Sequence, residues 1–305
     1  MNKSLAILGV FVADTAYRAD RMPKMGETIL GNRFALGPGG KGSNQAVAAA
    51  RAGGAVTFLS RLGQDAFADM ALKTWAEAGV QTAIEQDAQS FTGAAYIFVE
   101  EASGDNAIII CPGAASDIDV AFVERHADTI ASAKIFMTQL EQPTDAALRG
   151  LQIARDNNAR TILNPAPAAT LPDEMLALCD FVTPNESEAE GLTGRAVKTV
   201  DDARSAAEML LAKGAGAAVI TLGEQGALLH DSTTSVHVPA MSAGEVVETT
   251  GAGDAFNGAF ATALCEGKDA LSAVQFGCAC AALSVTRAGT APSMPSRDEI
   301  DALMK

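Results

Sequence analysis

Beyond Pro112 and Gly113 the chain alternates between short apolar runs and longer segments with helical periodicity. This alternation is typical of a mainly parallel sheet with helices on both faces, because each strand must return across the sheet through a helix. The predicted strands of this region are 134–138, 161–163, 181–183, 217–221, 226–230 and 235–239. Ligand sites of such sheets lie at the carboxyl ends of the strands, where polar side chains should collect.

The stretch 248–260 reads E-T-T-G-A-G-D-A-F-N-G-A-F and places a glycine-rich turn directly before an apolar helical pattern. The first N–H groups of a helix lack intrahelical partners and carry about half a positive charge, so they can bind an anion. Gly251 and Gly253 allow close approach of backbone to a ligand. Asp254 then lies where a carboxylate could deprotonate a nucleophile that attacks a group held by those donors. The alternative is an ordinary turn in which Asp254 is only an N-cap.

A second glycine-rich stretch, 36–45, reads L-G-P-G-G-K-G-S-N-Q and precedes an alanine-rich helix that ends near Arg51. It matches the letters of a dinucleotide fingerprint, but it lies beyond the first strand–helix step and contains Pro38. It is not a Walker loop either, since Gly42 rather than Ser or Thr follows Lys41. On its own the stretch is either a ligand loop or a glycine-rich turn before a helix.

Acidic side chains follow two of the predicted strands. Glu141 comes after the strand 134–138, and Asn185 and Glu188 follow the strand 181–183. Asn185 and Glu188 are three residues apart, so they share one face in the first turns of a helix. Each of these residues is also compatible with a structural role as a helix cap or as a complement to the helix dipole.

The charge of the chain limits its partners. It has 22 Lys and Arg against 37 Asp and Glu, and the net charge of −15 argues against nucleic acid or an anionic membrane. The apolar run 5–13 is too short to cross a bilayer, and no other segment is long and apolar enough. Five scattered cysteines indicate reduced thiols rather than disulfides or a metal site. We therefore expect a cytoplasmic protein.

Together, the two glycine-rich stretches resemble the signatures of the ribokinase-like (PfkB) carbohydrate kinases. G-G-K-G-S-N at 39–44 and T-T-G-A-G-D-A-F-N-G at 249–258 stand in the family's order, and the resemblance covers nearly the whole chain. It implies a single kinase domain, 1–305, with a three-layer α/β/α fold and a mainly parallel central sheet. It also implies a small β-sheet lid near 11–36 and 91–111, with strands at 27–34, 91–100 and 107–110, through which two chains form a homodimer.

On the sugar side, the resemblance implies that Asp14 holds hydroxyl groups and that Asp254 deprotonates the attacking hydroxyl. The other implied substrate-binding positions are Gly40, Lys41, Gly42, Asn44 and Glu141. The implied catalytic set is completed by N–H donors to the phosphoryl group from Gly251, Ala252 and Gly253. This chain departs from the family at Val12, where ribokinase-like enzymes carry an asparagine that hydrogen-bonds the sugar.

On the nucleotide side, the resemblance implies that ATP is a co-substrate and that Glu188 orders Mg²⁺ through water near its phosphates. The implied ATP-binding positions are Asn185, Thr221, Leu222, Gly223, Glu224, Gln225, Gly226, Gly253 and Cys278. A K⁺ site is implied behind the anion-binding turn, with ligands from Glu248, Thr250, Ser284, Arg287, Gly289 and Ser293. Glu248 replaces the family's usual aspartate and is one methylene longer.

These features predict an ATP-dependent kinase that transfers the γ-phosphate to a primary hydroxyl of a small sugar. Ribose, which would give ribose 5-phosphate, is the first expectation. Two alternatives stay open: the same chemistry on another carbohydrate or a nucleoside, and a catalytically silent sugar or nucleotide sensor. The intact Asp254 speaks against the sensor, and an assay for ADP release separates the two.

Overall fold

The computed structural model describes residues 4–172 and 174–305, so residues 1–3 and 173 of the predicted domain lie outside the described residues. The strands are β1 Ser4–Leu8, β2 Val12–Ala19, β3 Arg33–Gly39, β4 Ala55–Gly63, β5 Gln81–Asp87, β6 Thr92–Glu100, β7 Asn106–Gly113, β8 Ile135–Thr138, β9 Arg160–Leu163, β10 Phe181–Val182, β11 Ala217–Thr221, β12 Ala227–Asp231 and β13 Ser235–Val238. The helices are α1 Lys41–Arg51, α2 Ala66–Ala78, α3 Val120–Arg125, α4 Ala127–Ala131, α5 Thr144–Asp156, α6 Glu186–Thr193, α7 Val200–Ala212, α8 Ala252–Glu266, α9 Ala270–Ser284 and α10 Arg297–Leu303.

Helix boundaries follow the capping residues of the sequence. α2 begins after Asp65, whose carboxylate accepts a hydrogen bond from the N–H of Ala68, and ends at Gly79 in the left-handed conformation with φ 78°. α7 begins with a capping box between Thr199 and Asp202. Such caps satisfy N–H groups that a helix end leaves unpaired. No helix in the described part of the chain combines the length and apolar character that a membrane span requires.

Nine strands form the central sheet in the order β13-β12-β11-β10-β9-β8-β1-β4-β5. The pairs from β11 to β5 are parallel, whereas β12 and β13 pair antiparallel at one edge. The mainly parallel sheet predicted from the alternating pattern is thereby confirmed. β5, at the other edge, is not predictable from its sequence Q-T-A-I-E-Q-D, which contains no apolar run.

Helices cover both faces of this sheet and bury two hydrophobic cores. Successive side chains of a strand point to opposite faces, so β1 contributes to both. Ile7 packs in a core with Trp75 and Phe260, on the side of α1, α2, α8, α9 and α10. Leu8 packs in the other core with Phe136, on the side of α3 to α7. This arrangement is the predicted three-layer α/β/α fold.

The lid is a separate four-stranded sheet in the order β3-β2-β6-β7. Its strands come from the two expected parts of the chain, but the predicted strand 27–34 is wrong, since β3 begins at Arg33 and ends at Gly39. Glu27 lies in the preceding loop, where its carboxylate accepts hydrogen bonds from Arg21 and from the N–H of Lys24. Pro38 is tolerated in β3 because this is an edge strand, where a missing N–H costs little.

The two faces of the lid differ. Asp14 lies on the face toward α1, and the neighbouring strand register places Val12 on that same face, two residues away. The opposite face, which we call the outer lid face, carries four apolar side chains that remain largely accessible. They are Tyr17 (41% exposed), Phe34 (56%), Leu36 (49%) and Ile109 (63%). An apolar surface of this kind is typical of interaction sites.

Candidate active site

Polar side chains collect at the carboxyl ends of four neighbouring strands of the central sheet. Glu141 follows β8, Asn164 follows β9, Asn185 follows β10 and Thr221 ends β11. The N-termini of α1 and α8 meet at the same edge, and a cavity there is lined by Lys41, Asn164, Ala166, Thr183, Asn185, Glu188, Thr221, Gly251, Gly253, Asp254 and Asn257. Open α/β sheets bind their ligands at this edge. The cavity therefore joins residues from both glycine-rich stretches of the sequence.

The N-terminus of α8 forms one wall of the cavity. Gly251 precedes the helix in the left-handed conformation, with φ 83°, which side chains other than glycine rarely adopt. The first helical hydrogen bond runs from the N–H of Ala255 to the carbonyl of Gly251, at 2.9 Å. The N–H of Ala252 was predicted to donate to a phosphoryl group, but here it donates to the carbonyl oxygen of Thr249 at 3.2 Å. The donors that border the cavity belong to Gly251 and Gly253.

Asp254 lies in the first turn of α8, with both carboxylate oxygens held by side-chain amides. Nδ2 of Asn44 donates to Oδ2 at 3.0 Å, and Nε2 of Gln45 donates to Oδ1 at 3.0 Å. Both amides come from α1, which packs against α8. The alternative of a simple N-cap is wrong, since Gly251 is the N-cap of α8 and Asp254 lies three residues further on.

The charge of Lys41 balances that of Asp254. Burial raises the pKa of Asp254, while the charge of Lys41 and the hydrogen bonds from Asn44 and Gln45 act in the opposite direction. Burial also disfavours the charged form of Lys41, but the carboxylates that surround it outweigh this effect and raise its pKa. These carboxylates belong to Asp254, Glu141 and Glu188. A protonated Lys41 therefore stays next to the proposed base.

Asp14 and Glu141 bring two further carboxyl groups to the same place. Burial, with a smaller contribution from the charge of Asp254, raises the pKa of Asp14 to about 6. Burial raises the pKa of Glu141 to about 7, although Lys41 opposes this through its charge and through its N–H, which donates to Oε2 at 2.7 Å. The charges of the lid residue Asp14 and of Glu141 thus both act on the carboxylate of Asp254, and their contact with a sugar remains a prediction.

Gly40 and Gly42 lie where two backbone segments approach each other closely. A Cβ atom at Gly40, where φ is 88°, would lie 2.6 Å from the carbonyl oxygen of Val10. A Cβ atom at Gly42 would lie 2.7 Å from Cα of Gly9. Both glycines therefore allow the start of α1 to lie against the connection between β1 and the lid. Their contact with a sugar remains a prediction.

Two side chains indicate where a sugar would lie. Oδ1 of Asn44 is buried and has no hydrogen-bond partner within the described residues, so it can accept a bond from a ligand hydroxyl. Val12 is 6% exposed and lies on the lid face that carries Asp14, between the lid and the second core. The apolar departure from the family pattern therefore shares the lid face of Asp14, and its contact with a sugar remains a prediction.

Only part of the turn predicted to bind the nucleotide, residues 221–226, lies at the cavity. Thr221 lines the cavity, whereas the side chain of Leu222 is buried in the second core. Gly223, Glu224 and Gln225 form a 3₁₀ turn on the surface. Gly226 has φ 98°, and a Cβ atom there would lie 2.1 Å from the carbonyl oxygen of Val238, so this glycine serves the turn itself.

Cys278 belongs to the first hydrophobic core and does not line the cavity. Burial raises the pKa of its thiol to about 12, so the group stays protonated and unreactive. A contact between Cys278 and the adenine base remains a prediction.

The predicted Mg²⁺ residues form a capping box at the start of α6. Oδ1 of Asn185 accepts from the N–H of Glu188 at 2.8 Å, and Oε2 of Glu188 accepts from the N–H of Asn185 at 2.9 Å. Both residues also line the cavity, so capping does not exclude the predicted role. Within the described chain, no group of three or more His, Cys, Asp or Glu side chains is arranged so that it could hold a metal ion by itself. Asn185 and Glu188 are compatible with a Mg²⁺ ion that takes most of its ligands from phosphate and water oxygens.

The predicted K⁺ loop lies directly behind the anion-binding turn. A Cβ atom at Gly251 would lie 3.3 Å from Thr290, so loop and turn are in contact. Oε2 of Glu248 accepts from the N–H of Gly289 at 2.8 Å. The hydroxyls of Ser284 and Ser293 are buried, and the Arg287 side chain pairs with Glu299 outside the loop. This donor set of carboxylate, hydroxyl and carbonyl oxygens, with Thr250 next to Gly251, fits a hard cation.

Several residues of the site were not singled out from the sequence, although Asn257 stands within the signature 249–258. Asn164, Thr183 and Asn257 line the cavity and are linked to each other: Nδ2 of Asn164 donates to the carbonyl of Thr183, whose hydroxyl donates to Oδ1 of Asn257. Gln45 contacts Asp254. The available signals were the position of Asn164 at a strand end and that of Gln45 directly after Asn44.

A family model for the pfkB family of carbohydrate kinases matches residues 2–297. The chain belongs to this family. Among the relatives of this PfkB kinase, the ribokinase of Haemophilus influenzae is 40% identical over 300 residues, which cover 98% of this chain and 97% of that protein. The deoxyribokinase of Salmonella typhi is 37% identical over 299 residues, which cover 97% of both chains.

The solved structures agree with the family assignment. Arabidopsis thaliana ribokinase, complexed with ribose and ATP, matches with a TM-score of 0.92 and 31% identity over 100% of this chain and 99% of that one. The PfkB kinase described here is thus an ATP-dependent sugar kinase with the ribokinase-like fold. The resemblance inferred from the two glycine-rich signatures is confirmed.

Proposed function

We propose that this PfkB kinase transfers the γ-phosphate of ATP to the primary hydroxyl of a pentose, with ribose as the first candidate and ribose 5-phosphate as the product. The position of Asp254 carries the proposal. Its buried carboxylate lies in the first turn of α8, beside the N–H groups of Gly251 and Gly253. The ribokinase names of the relatives from H. influenzae and A. thaliana support ribose.

The sugar would lie between Asp14 on the lid and Glu141 after β8, with Oδ1 of Asn44 as a third acceptor. Hydrogen bonds from the sugar hydroxyls to these oxygens would hold the primary hydroxyl against Asp254. Asp254 then takes the proton as the hydroxyl oxygen bonds to the γ-phosphorus and the bond to ADP breaks. Its environment suits this task, since burial raises the pKa of Asp254 and favours proton uptake, while the charge of Lys41 acts in the opposite direction.

Positive groups must offset the net charge of −15, which repels ATP from the molecule as a whole. In the proposed mechanism, the ammonium group of Lys41 and the N–H groups at the start of α8 stabilise the charge on the transferring phosphoryl group. Mg²⁺, oriented by Glu188 through water, would neutralise the phosphate oxygens when bound. Closure of the lid would exclude water and suppress ATP hydrolysis.

A second candidate substrate, 2-deoxyribose, is favoured by Val12. An apolar side chain on the sugar side of the lid offers no hydrogen bond to a hydroxyl and fits a position where the sugar has only hydrogen. The deoxyribokinase of S. typhi is nearly as similar to this chain as the ribokinase of H. influenzae. Both sugars therefore belong in the first substrate panel.

We also propose that residues 1–305 form one kinase domain that assembles as a homodimer through the outer lid face. The exposed apolar side chains on this face support a partner of the same chain, because an open sheet with an apolar face needs to be covered. The acidic charge supports the absence of nucleic-acid and membrane partners. A cytoplasmic location, which supplies ATP and keeps thiols reduced, goes with this proposal.

The proposal is tested by ADP release with ATP, Mg²⁺ and a panel of ribose, 2-deoxyribose, other pentoses and nucleosides. Asp254→Asn should lose about two to four orders of magnitude in kcat, the usual contribution of a general base, and should still bind ATP. Asp269→Asn, at the exposed start of α9, is a matched control that should keep full activity. No ADP release with any sugar would favour the silent sensor, and near-normal turnover by Asp254→Asn would exclude its role as base.

A further inference from the structure

Gln45 is fully buried and makes three side-chain hydrogen bonds. Its Nε2 donates to Oδ1 of Asp254 and to Oδ1 of Asn164, each at 3.0 Å. Its Oε1 accepts from Nε2 of Gln139 at 2.5 Å. Because Gln45 is fully buried and its amide is bonded within the protein, this amide serves Asp254 rather than a ligand.

Each oxygen of the Asp254 carboxylate accepts a hydrogen bond from a different side-chain amide of α1. Asn44 bonds Oδ2, and Oδ1 of the same Asn44 lacks a partner in the described chain, which leaves Asn44 to be shared with a sugar. Gln45 bonds the other oxygen and has no group left for a ligand. The orientation of the carboxylate before a sugar arrives therefore depends on Gln45.

Gln139, at the end of β8, holds the amide of Gln45 in place. Oε1 of Gln139 lies so close to two backbone segments that a Cβ atom at Gly9 would be 2.5 Å from it, and one at Gly42 would be 2.8 Å from it. Gln139 is therefore wedged between the end of β1 and the start of α1. The absence of a side chain at Gly9 and at Gly42 leaves the space that the Gln139 amide occupies.

Asn164, at the end of β9, fixes the other side of Gln45. Its Nδ2 donates to the carbonyl of Thr183, directly after β10, at 2.8 Å, which leaves its Oδ1 to accept from Gln45. The ends of three neighbouring strands thus determine how the Gln45 amide points. This chain of buried amides ends on the carboxylate of Asp254, and at its far end Oε1 of Gln139 has no hydrogen-bond partner in the described part of the chain.

We propose that Gln45 is a positioning residue for Asp254, holding the carboxylate in the orientation and ionised form in which it accepts the proton of the sugar hydroxyl. The inference rests on the proposed role of Asp254 as the base. Gln45 itself touches neither sugar nor ATP, so its contribution should appear in the chemical step rather than in substrate binding.

The charged groups around Asp254 define the expected pH effect. The ammonium of Lys41 and the donors on Asn44 and Gln45 favour the ionised carboxylate, against burial. The nearby carboxylates, which disfavour a further negative charge, belong to Asp14, Glu141 and Glu188. Loss of the Gln45 donor should therefore raise the pKa of Asp254 and move the acid limb of the activity profile to higher pH.

The test compares Gln45→Met, which keeps the volume of the side chain, with the unchanged enzyme. Loss of a hydrogen bond to a charged group predicts a decrease in kcat of about 10- to 100-fold, with the KM for ATP changed less than about threefold and the acid limb shifted upward. Ser43→Ala is the matched control: Ser43 is buried on the same helix and accepts from Nε1 of Trp75 at 2.9 Å. It should keep kcat and the pH profile even if the protein is less stable.

Gln139→Met provides a second test should Gln45→Met not fold. This variant leaves the bond from Gln45 to Asp254 in place but removes the donor that holds the Gln45 amide. We expect kcat to fall by about 2- to 10-fold and the acid limb of the pH profile to move to higher pH. If Asp254→Asn is active, the assignment of the base is wrong. If Asp254→Asn is inactive but both glutamine variants keep kcat within about threefold and an unmoved pH profile, the positioning role of Gln45 is wrong.

Discussion

Val12 places an apolar side chain on the face of the lid that carries Asp14, and this single residue bears on the choice of sugar. A hydrogen bond to a buried hydroxyl contributes roughly 0.5–1.5 kcal/mol, which corresponds to about a three- to tenfold change in affinity. Ribose should therefore bind more weakly than a site with an amide there would allow. A sugar with hydrogen at that position loses nothing.

Val12→Asn should lower the KM for ribose by about three- to tenfold and raise the ratio of ribose to 2-deoxyribose in kcat/KM, because it restores one donor and one acceptor. Steady-state kinetics with both sugars would measure this. Thr15 lies on the other face of β2, and its hydroxyl donates to the carbonyl oxygen of Ala95. Thr15→Val is therefore a control that should leave the ratio unchanged. Tight ribose binding by the native enzyme, unchanged by Val12→Asn, would show that Val12 does not contact the sugar.

Residues in short motifs could be predicted from the sequence, whereas their long-range partners could not. Asp254 and Asn44 each stand in a glycine-rich signature, and the structure brings them within 3.0 Å of each other. Gln45 carries no such signal, because its function depends on a partner 209 residues away in sequence. No local pattern identifies a contact of that separation.

The loop that follows α9 is the element that supports the N-terminus of α8 from behind. Oε2 of Glu248 holds this loop by accepting a hydrogen bond from the N–H of Gly289, and Thr290 contacts Gly251. If K⁺ binds here, it should fix the turn that presents N–H groups to the phosphoryl group. K⁺ should therefore raise kcat several-fold over Na⁺ at equal ionic strength.

Steady-state rates in KCl, NaCl and tetramethylammonium chloride would measure this dependence, and thermal unfolding in the same salts gives a second readout. Equal rates and equal melting temperatures in KCl and NaCl would mean that Glu248, by bonding Gly289, has replaced the cation. In that case Glu248→Asp, which carries the family's usual residue, should introduce a preference for K⁺ over Na⁺.

Elements with strong periodicity were predictable, and elements with special backbone requirements were not. α8 and β11 begin where the sequence predicts, because glycines and polar turn residues bound clear apolar patterns. β3 begins later than its pattern suggests, since Glu27 is drawn into a turn by Arg21. It also extends through Pro38, which sequence rules place in loops.

On the scale of the whole molecule, the outer lid face predicts the state of assembly. The native enzyme should have twice the mass of one chain in solution, measured by light scattering after gel filtration. Ile109→Glu should shift the mass toward a single chain, since a buried charge without a partner opposes association. Met304→Glu, at an exposed position near the C-terminus, is the matched control and should leave the mass unchanged. A native enzyme with the mass of one chain would overturn the proposed dimer.

The layered architecture was predictable because alternating strands and helices admit few arrangements. The orientation of the lid relative to the cavity was not, since it depends on β2 pairing parallel with β6, far along the chain. The resulting juxtaposition of Asp14, Glu141 and Asp254 emerges only at this scale.

Because these carboxyl groups lie close together, sugar binding should be coupled to a change in their protonation. With pKa values of about 6 for Asp14 and about 7 for Glu141, the empty site holds protons near neutral pH. Hydroxyl groups that donate to these carboxylates favour the ionised form, so sugar binding should release protons to the solvent. The heat of binding should then depend on the ionisation enthalpy of the buffer, and affinity should rise with pH between about 6 and 7. Calorimetry in phosphate and Tris would register the difference, which Glu141→Gln should reduce.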